Sequence, residues 1–271
     1  MNVALNTASF AYRQTGYRGG DWGVACRTSR EHFSPPATFR GRIAELLDEV
    51  RSLGYHDIEL WHFHLHQRWW TPGHVNALQD ELGQRGMRVV AYCGGVGDDL
   101  DEVRRGVELM TALDIPLFAG GGAMFSRERP EVVRVFREAG RVFAYENHPE
   151  PTPAAVLETV GPEDAGTLGV TIDTGWFGTQ GYPADDAVRA LRGRLRHVHL
   201  KDVRAAGTHE TCGFGEGVVP LRAVVQALRE TGYTGVLSVE HEPELFGPGP
   251  DLAAARRQLD GWLAETAQER A

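Results

Sequence analysis

Four short segments in the second half of the chain carry ionisable side chains directly after apolar runs. They are "AYENH" around Glu146 and His148, "TIDTG" around Asp173, "HVHLKD" around His199, and "SVEHEPE" around Glu240. Carboxylates and imidazoles are the groups that bind divalent metals and transfer protons in enzymes. These segments are therefore the candidates for a metal site or an acid–base site.

The elements that must position these groups can be read from the hydrophobic pattern. Eight apolar or β-branched runs alternate with amphipathic helical patterns along the chain. The runs cover residues 3–9, 57–63, 87–93, 115–121, 141–147, 168–175, 195–202 and 235–242. Near-continuous apolar runs suit strands that are buried on both faces of a parallel sheet. Eight successive strand–helix units predict an α/β fold of one domain over residues 1–271, a closed (β/α)8 TIM barrel.

An open doubly wound sheet is the structural alternative, but no G-x-G-x-x-G motif follows the first strand. Two connections are too long for simple βα loops. Residues 9–37, rich in glycine and aromatic residues, predict an extended β1–α1 lid over one mouth of the barrel. The second long loop covers residues 203–218, and a helix is predicted over 37–54.

A barrel brings the carboxyl ends of its strands together at one mouth, where active sites lie. Glu146, Asp173, His199 and Glu240 stand at four successive strand ends there. Three carboxylates in one cavity would repel each other unless a cation lay between them. Three carboxylates with one imidazole suit Mn²⁺ best, with Mg²⁺ or Co²⁺ as alternatives. The sequence therefore predicts one divalent metal, bound by these four residues.

Each of these residues also has an ordinary structural interpretation. Asp173, before Thr-Gly, could form a turn or a helix cap, and Glu146 could be a charge on the rim. A single buried histidine is more often hydrogen-bonded in a core than bound to metal. The joint placement of four ligand types at successive strand ends favours the metal site.

Composition narrows the class of protein. The 271 residues carry a net charge of −9, which argues against a nucleic-acid partner because a phosphate-binding protein needs a basic face. The cysteines Cys26, Cys93 and Cys212 are far apart, which predicts a reducing, cytoplasmic location. No apolar run has the length of a membrane span, and the first ten residues do not read as a signal peptide.

The ordered motifs "ENH", "IDTG", "HVHLKD" and "VEHEP" resemble those of the xylose isomerase-like TIM-barrel superfamily, which contains sugar isomerases and epimerases. The resemblance spans nearly the whole chain. It implies that Glu146, Asp173, His199 and Glu240 bind one divalent metal and that both glutamates act as acid/base groups. A DNA-repair endonuclease branch fits less well. That branch has a histidine where this chain has Trp176, and an Asp-x-His in the second long loop, which this chain lacks.

The predicted reaction is proton abstraction next to the carbonyl of a keto-sugar or similar carbohydrate. A divalent metal polarises the carbonyl, and a carboxylate takes the proton from the adjacent carbon. Returning that proton to the other carbon isomerises the sugar, whereas returning it to the other face epimerises it. Glu146 and Glu240 are the candidate catalytic pair. His148 is a further candidate base, or it supports the ligand Glu146.

Two other functions stay open. The segments "EHEPE" and "HETCGFGEG" look similar to the large subunits of C-glycoside deglycosidases, metal-dependent lyases that act on 3-oxo-glycosides. That resemblance implies that His148 is the base and that a small second subunit is required. From a different class, the chain could be a non-catalytic sugar-binding barrel that retains the metal. It could also form a homo-oligomer, as many barrels of this kind do.

Substrate contacts are expected from aromatic and polar side chains at the same mouth, because sugar rings pack on aromatic faces. The predicted contacts are Glu59, Trp61, Trp176, Lys201 and His197. Lys201 is expected to pair with a carboxylate, and His197 could instead pack beneath His199. Further aromatic candidates are Trp22, Trp69, Trp70 and Phe177, each of which could equally fix a loop to the barrel. No glycine-rich loop with clustered Lys or Arg is present, which favours a non-phosphorylated sugar or glycoside.

The segment "WHFHLH" has the densest histidine of the chain but follows only one strand. Its histidines His62, His64 and His66 are therefore predicted to decorate a rim loop.

Overall fold

Eight parallel strands close into a barrel in a computed structural model that describes residues 1–162 and 164–268. The last residues of the predicted domain, 269–271, lie outside this part. The order around the barrel is β1-β2-β3-β4-β5-β6-β7-β10, back to β1. These strands are β1 Asn2–Asn6, β2 Asp57–Trp61, β3 Arg88–Gly95, β4 Leu117–Gly121, β5 Val142–Glu146, β6 Leu168–Asp173, β7 Leu195–Leu200 and β10 Val236–Val239. The predicted TIM barrel is confirmed.

An outer ring of helices covers the barrel. The helices are α1 Trp22–Phe33, α2 Pro36–Ser52, α3 Pro72–Arg85, α4 Leu100–Ala112, α5 Ala123–Glu138, α6 Pro153–Val160, α7 Thr174–Thr179, α8 Ala184–Leu191, α9 Leu221–Glu230 and α10 Gly249–Gln268. In α2, Ile43, Leu46, Leu47 and Val50 are buried, as expected for one apolar face of a helix. The main core lies between these faces and the strands. None of the described helices has the length and apolar character needed to cross a membrane.

The segment predicted as a lid over residues 9–37 is largely helical. A 3-10 helix, Thr7–Thr15, begins directly after β1, and α1 follows. Asp21 caps α1, since its side chain accepts a hydrogen bond from the Val24 amide. Tyr12 and Trp22 line the cavity at the carboxyl ends of the strands. The segment therefore builds part of the mouth from helices where the sequence suggested a loop.

The long connection between β7 and α9 contains a two-stranded antiparallel hairpin, β8 Asp202–Val203 and β9 Thr211–Cys212. Asp202 is buried at its base and accepts four backbone N–H groups. Those donors are Val203 and Val219 at 2.9 and 3.0 Å, and Gly215 and Gly217 at 2.9 and 3.1 Å. Gly217 has to be glycine, because a Cβ there would lie 2.1 Å from the Val203 carbonyl oxygen. One carboxylate thus fixes the path of this connection.

Candidate metal centre and substrate cavity

The four predicted ligands meet at one point of the mouth. Glu146 and Asp173 end β5 and β6, His199 lies near the end of β7, and Glu240 directly follows β10. The parallel register places Asp173 opposite His199. One ligand atom from each residue lies within 4.8 Å of those of the other three. The barrel therefore brings three carboxylates and one imidazole to a single centre.

The side-chain contacts fit a divalent cation. His199 Nδ1 lies 2.9 Å from Glu146 Oε1 and 3.2 Å from Glu240 Oε2. Asp173 Oδ2 and Glu240 Oε2 are buried and accept no hydrogen bond from the described residues, although both lie near the Lys201 ammonium. Buried carboxylate oxygens without a hydrogen-bond donor are destabilising unless a cation neutralises them. The donor set and these two oxygens fit a metal that prefers oxygen ligands.

Asp173 is both a helix cap and a candidate ligand. Its Oδ1 accepts the Trp176 amide at 3.0 Å, which caps α7, and Oδ2 faces the centre. Asn147 fixes the backbone of Asp173, since its side chain accepts the Asp173 N–H at 2.7 Å and donates to the Asp173 carbonyl at 3.1 Å. Asn147 is buried. The two interpretations of Asp173 are therefore compatible, because each uses a different oxygen.

A buried carboxylate lies beneath the centre. Glu59 Oε1 is 3.1 Å from His199 Nε2, and Glu59 Oε2 is 2.9 Å from His197 Nε2. Burial alone would raise the pKa of Glu59, but the two histidines hold that pKa well below its usual range. Glu59 and His197 do not line the cavity. Both side chains lie one layer below the mouth, and Glu59 contacts His199 there. The prediction that Glu59 and His197 contact the substrate does not fit this position.

Lys201 lies among three carboxylates. Its Nζ is 3.1 Å from Asp173 Oδ2, 3.3 Å from Glu240 Oε2 and 3.0 Å from Glu242 Oε2. Burial opposes its charge, but the carboxylates dominate and raise the pKa of Lys201 well above its usual value. Gly175 makes room for this side chain, since a Cβ there would lie 2.7 Å from Lys201 Cδ. The geometry is that of an ion pair.

The two candidate acid/base carboxyls differ in their surroundings. Burial raises the pKa of both. At Glu146 the attraction of His199 outweighs burial, and the pKa of Glu146 lies below its usual range. At Glu240 the attraction of Lys201 offsets burial only in part, and repulsion from Glu242 adds to it, so the pKa of Glu240 lies well above its usual range. Before a metal binds, one carboxyl favours the charged form and the other the protonated form.

A cavity of about 660 Å³ opens above the centre. This is an ordinary size for a small-molecule site. The predicted contacts Trp61, Trp176 and Lys201 line it, as do the candidate base His148 and the aromatic residues Trp22, Tyr12 and Phe63. Trp69, Trp70 and Phe177 do not. The opposite wall is backbone, built from Gly94, Gly95, Gly121 and Gly122. The cavity therefore has two parts. The charged half surrounds the candidate metal centre, and the aromatic half is lined by Tyr12, Trp22, Trp61 and Phe63.

An aromatic stack stands at the rim of the charged half. The rings of His148 and Trp176 have their centroids 4.2 Å apart, and His209 stacks on Trp176 at 3.9 Å with 15° between the planes. All three line the cavity. The sequence did not point to His209, because it lies in a long loop with no periodicity; its only signal is its place in "HETCGFGEG".

The histidines of "WHFHLH" lie in the loop after β2, as predicted, and His62 lines the cavity, but all three are buried rather than exposed on the rim. His62 packs on the backbone of Gly94, where a Cβ would lie 2.4 Å from the ring. His66 stacks on His62 at 4.8 Å, and Phe33 of α1 packs on His64 at 4.6 Å. Burial lowers the pKa of His64 to about 3 and that of His66 to about 4, so both are neutral packing residues.

Comparison with known proteins agrees with this architecture. A family model for the xylose isomerase-like TIM barrel matches residues 47–266. The uncharacterised protein MJ1311 of Methanocaldococcus jannaschii is 32% identical over 120 residues, and the match spans 41% of each chain. A D-tagatose 3-epimerase-like protein has a TM-score of 0.71 at 17% identity and covers 100% of both chains. The IOLI protein, solved with a zinc atom, has a TM-score of 0.70 at 15% identity over 98% of this chain and 99% of its own.

Proposed function

The chain belongs to the xylose isomerase-like TIM barrel family, and from this premise we propose that it is a divalent-metal-dependent sugar isomerase or epimerase. The observation that carries the proposal is the convergence of Glu146, Asp173, His199 and Glu240 within 4.8 Å at the floor of a cavity of about 660 Å³. We propose that a keto-sugar binds above this centre and loses a proton next to its carbonyl.

A cation held by these four residues would polarise the carbonyl and a neighbouring hydroxyl of the sugar, which acidifies the adjacent C–H. Glu146 and Glu240 stand on β5 and after β10, which are separated around the barrel by two strands. They therefore reach the cavity from different sides. One carboxylate can take the proton while the other returns it, either to the second carbon or to the opposite face. Lys201 keeps the adjacent Glu242 and Asp173 paired.

The oxygen-rich donor set supports Mn²⁺ as the metal, with Mg²⁺ or Co²⁺ as alternatives. The zinc of the IOLI protein supports a divalent ion in this fold without deciding which one this chain prefers. Lys201 is the only Lys or Arg among the residues that line the cavity, and it is already paired with three carboxylates. Among the described lining residues no Lys or Arg side chain is left to pair with a phosphate group, which supports a non-phosphorylated substrate.

A lyase acting on 3-oxo-glycosides is the second candidate. The position of His148 favours it: this exposed side chain lies at the cavity rim, two residues after Glu146 and against Trp176. A base there could take a proton while the glycosidic group leaves towards the aromatic half. This candidate would require a small second subunit, as the resemblance implies. A sugar-binding barrel without catalysis is the remaining outcome.

The test combines metal content with isotope exchange. The purified chain is loaded with Mn²⁺, its metal is measured by mass spectrometry, and D-fructose, D-tagatose, D-psicose and phenyl 3-oxo-β-D-glucoside are incubated with it in D₂O. We expect about one metal per chain and deuterium at the carbon next to a ketose carbonyl. Release of phenol without exchange into ketoses would assign the lyase instead.

Matched variants identify the groups involved. Glu240→Gln should abolish exchange, whereas Glu138→Gln, on the exposed face of α5, should leave it unchanged. If the wild type releases phenol, loss of that release in His148→Gln would give His148 the role of base. Metal binding without any reaction on the four compounds would support the alternative of a non-catalytic sugar-binding barrel.

A further inference from the structure

His209 is held in the cavity wall by the hairpin that Asp202 anchors. It lies between β8 and β9, where the Arg204 amide donates to the Glu210 carbonyl at 2.8 Å. The turn is also tied to α7, since the Gly207 amide donates to the Thr179 carbonyl at 2.8 Å. The ring stacks on Trp176. Both the backbone and the ring plane of His209 are thus fixed from neighbouring elements.

The hydrogen bonds of Thr179 determine which nitrogen of His209 carries the proton. Thr179 Oγ1 lies 3.2 Å from the Thr208 carbonyl oxygen and 2.9 Å from His209 Nδ1. A carbonyl can only accept, so we assign the single hydroxyl proton to the bond with Thr208. The hydroxyl oxygen must then accept from His209, which places the proton on Nδ1. His209 Nε2, on the far side of the ring, is left with a lone pair.

His209 is a residue of the cavity wall, and Nε2 is its free ring nitrogen. Nε2 makes no hydrogen bond to any described residue. Burial, with a further contribution from the positive charge of Lys201, lowers the pKa of His209 to about 4. The ring is therefore neutral between pH 5 and 8, and Nε2 stays an acceptor throughout this range. The carboxylates Asp173 and Glu146 and the ring of His148 are its other charged or titratable neighbours.

We propose that His209 Nε2 accepts a hydrogen bond from a hydroxyl group of the bound sugar and so selects sugars that carry a hydroxyl at the Trp176 side of the cavity. The proposal rests on the proposed function, because it takes the ligand to be a sugar. His209 is a specificity residue here, whereas proton transfer at carbon belongs to the glutamates. A sugar analogue that lacks this hydroxyl would leave His209 Nε2 without a hydrogen-bond donor. A site with such an unpaired polar group discriminates strongly against the analogue.

The tautomer is tested first, independently of activity. The chain is labelled with [15N]histidine, and long-range 1H–15N correlation spectra are compared with those of His209→Phe, which identifies the His209 signals. We expect a protonated Nδ1 and an unprotonated Nε2 at pH 7. In Thr179→Val, which removes the accepting hydroxyl, we expect the two tautomers to mix. A wild-type His209 with its proton on Nε2 would overturn the proposal.

The sugar contact is tested with the ketose of the panel that exchanges fastest. His209→Phe keeps the stacking ring but removes the acceptor, so we expect KM to rise roughly 3- to 10-fold, the range for one hydrogen bond, with kcat within twofold and Mn²⁺ affinity unchanged. His56→Phe, at an exposed position before β2, is the control and should match the wild type. An unchanged KM in His209→Phe would show that His209 does not contact the sugar, and the proposed function would still stand. Absence of exchange with every sugar of the panel would instead contradict the proposed isomerase or epimerase function, and the sugar contact of His209 would fall with it.

Discussion

Glu59 Oε1 lies 3.1 Å from His199 Nε2 at the base of the candidate metal centre. The carboxylate is ionised, because His197 and His199 hold its pKa far down against the effect of burial, and an ionised carboxylate can only accept. His199 must therefore donate from Nε2, which leaves Nδ1 as the nitrogen that faces Glu146 and Glu240. A residue one layer below the mouth thus determines which nitrogen of His199 faces the other candidate ligands.

Replacing Glu59 should weaken metal binding without touching a ligand. In Glu59→Gln the side chain keeps its shape but loses the charge, and its amide group can no longer accept from both His197 and His199. We expect Mn²⁺ affinity, measured by competition with a chelator, to fall roughly 10- to 100-fold, as for other groups that orient a metal ligand. Asp57→Asn, on the same strand but paired with Arg88, is the control. Equal affinities in both variants would contradict the orienting role.

Metal binding should release a proton from His199, in addition to the proton that Glu240 gives up on binding the metal. Burial would lower the pKa of His199, but Glu59, Glu146 and Glu240 outweigh it and raise that pKa well above its usual value. The ring is therefore an imidazolium before the metal binds and has to lose the Nδ1 proton on binding. Mn²⁺ affinity should rise with pH across the neutral range. Calorimetry in buffers of different ionisation enthalpy measures the released protons, and an enthalpy independent of the buffer would contradict this expectation.

The sequence was sufficient to predict that the four candidate ligands converge, because one rule of the fold places them. Parallel strands of a barrel end at the same mouth, so Glu146, Asp173, His199 and Glu240 had to converge once eight strand–helix units were recognised. The same rule does not predict that Glu59 lies beneath the cavity and contacts His199. Whether an inward residue reaches the cavity or lies beneath it depends on the stagger of neighbouring strands, including the register shift next to Glu59 on β2.

His209 and the buried histidines could not be predicted for a different reason. The hairpin that carries His209 follows the amide contacts of Asp202, which have no periodic signature in the sequence. The burial of His62 follows from the glycine wall of β3, which leaves room for a ring. One available signal was overlooked: Lys201 is the only lysine of the chain, beside 27 arginines. A compact ammonium fits among three carboxylates, where a planar guanidinium would not.

The aromatic half of the cavity should bind an aglycone. Trp22 is 41% exposed at the mouth and stands 5.6 Å from Trp61, ring to ring. In Trp22→Ala we expect the Kd of phenyl 3-oxo-β-D-glucoside to rise roughly 3- to 10-fold, the range for an aromatic pair, and the Kd of a free ketose to change less than twofold. Trp70→Phe, outside the cavity, is the control. An equal change for both substrates would argue against an aglycone site.

Lys201 should stabilise the metal-free protein more than the metal-bound protein. In Lys201→Met the buried Asp173 and the nearly buried Glu242 lose their shared cation, which should destabilise the metal-free protein by roughly 3–5 kcal/mol. Mn²⁺ should restore part of this loss, so the rise in Tm on adding Mn²⁺ should be larger than in the wild type. Arg204→Met removes a cation from exposed pairs with Glu210 and Glu216 and should cost less than about 1 kcal/mol. An equal Mn²⁺ effect on Tm in both variants would contradict this account.

Asp202 should control the order of the hairpin and, through it, the position of His209. Each carboxylate oxygen accepts two backbone N–H groups at 2.9 to 3.1 Å. Asp202→Asn keeps one oxygen and turns an NH₂ group towards the other two donors, so we expect a loss of roughly 2–6 kcal/mol, about 1–3 for each donor left unpaired. Hydrogen exchange should accelerate at residues 203–219, and KM should rise as in His209→Phe. Asp99→Asn is the control, because Asp99 caps α4 at an exposed position where asparagine serves equally well. Unchanged protection at residues 203–219 would show that the hairpin is ordered without Asp202, and that His209 is positioned by Thr179 and Trp176 alone.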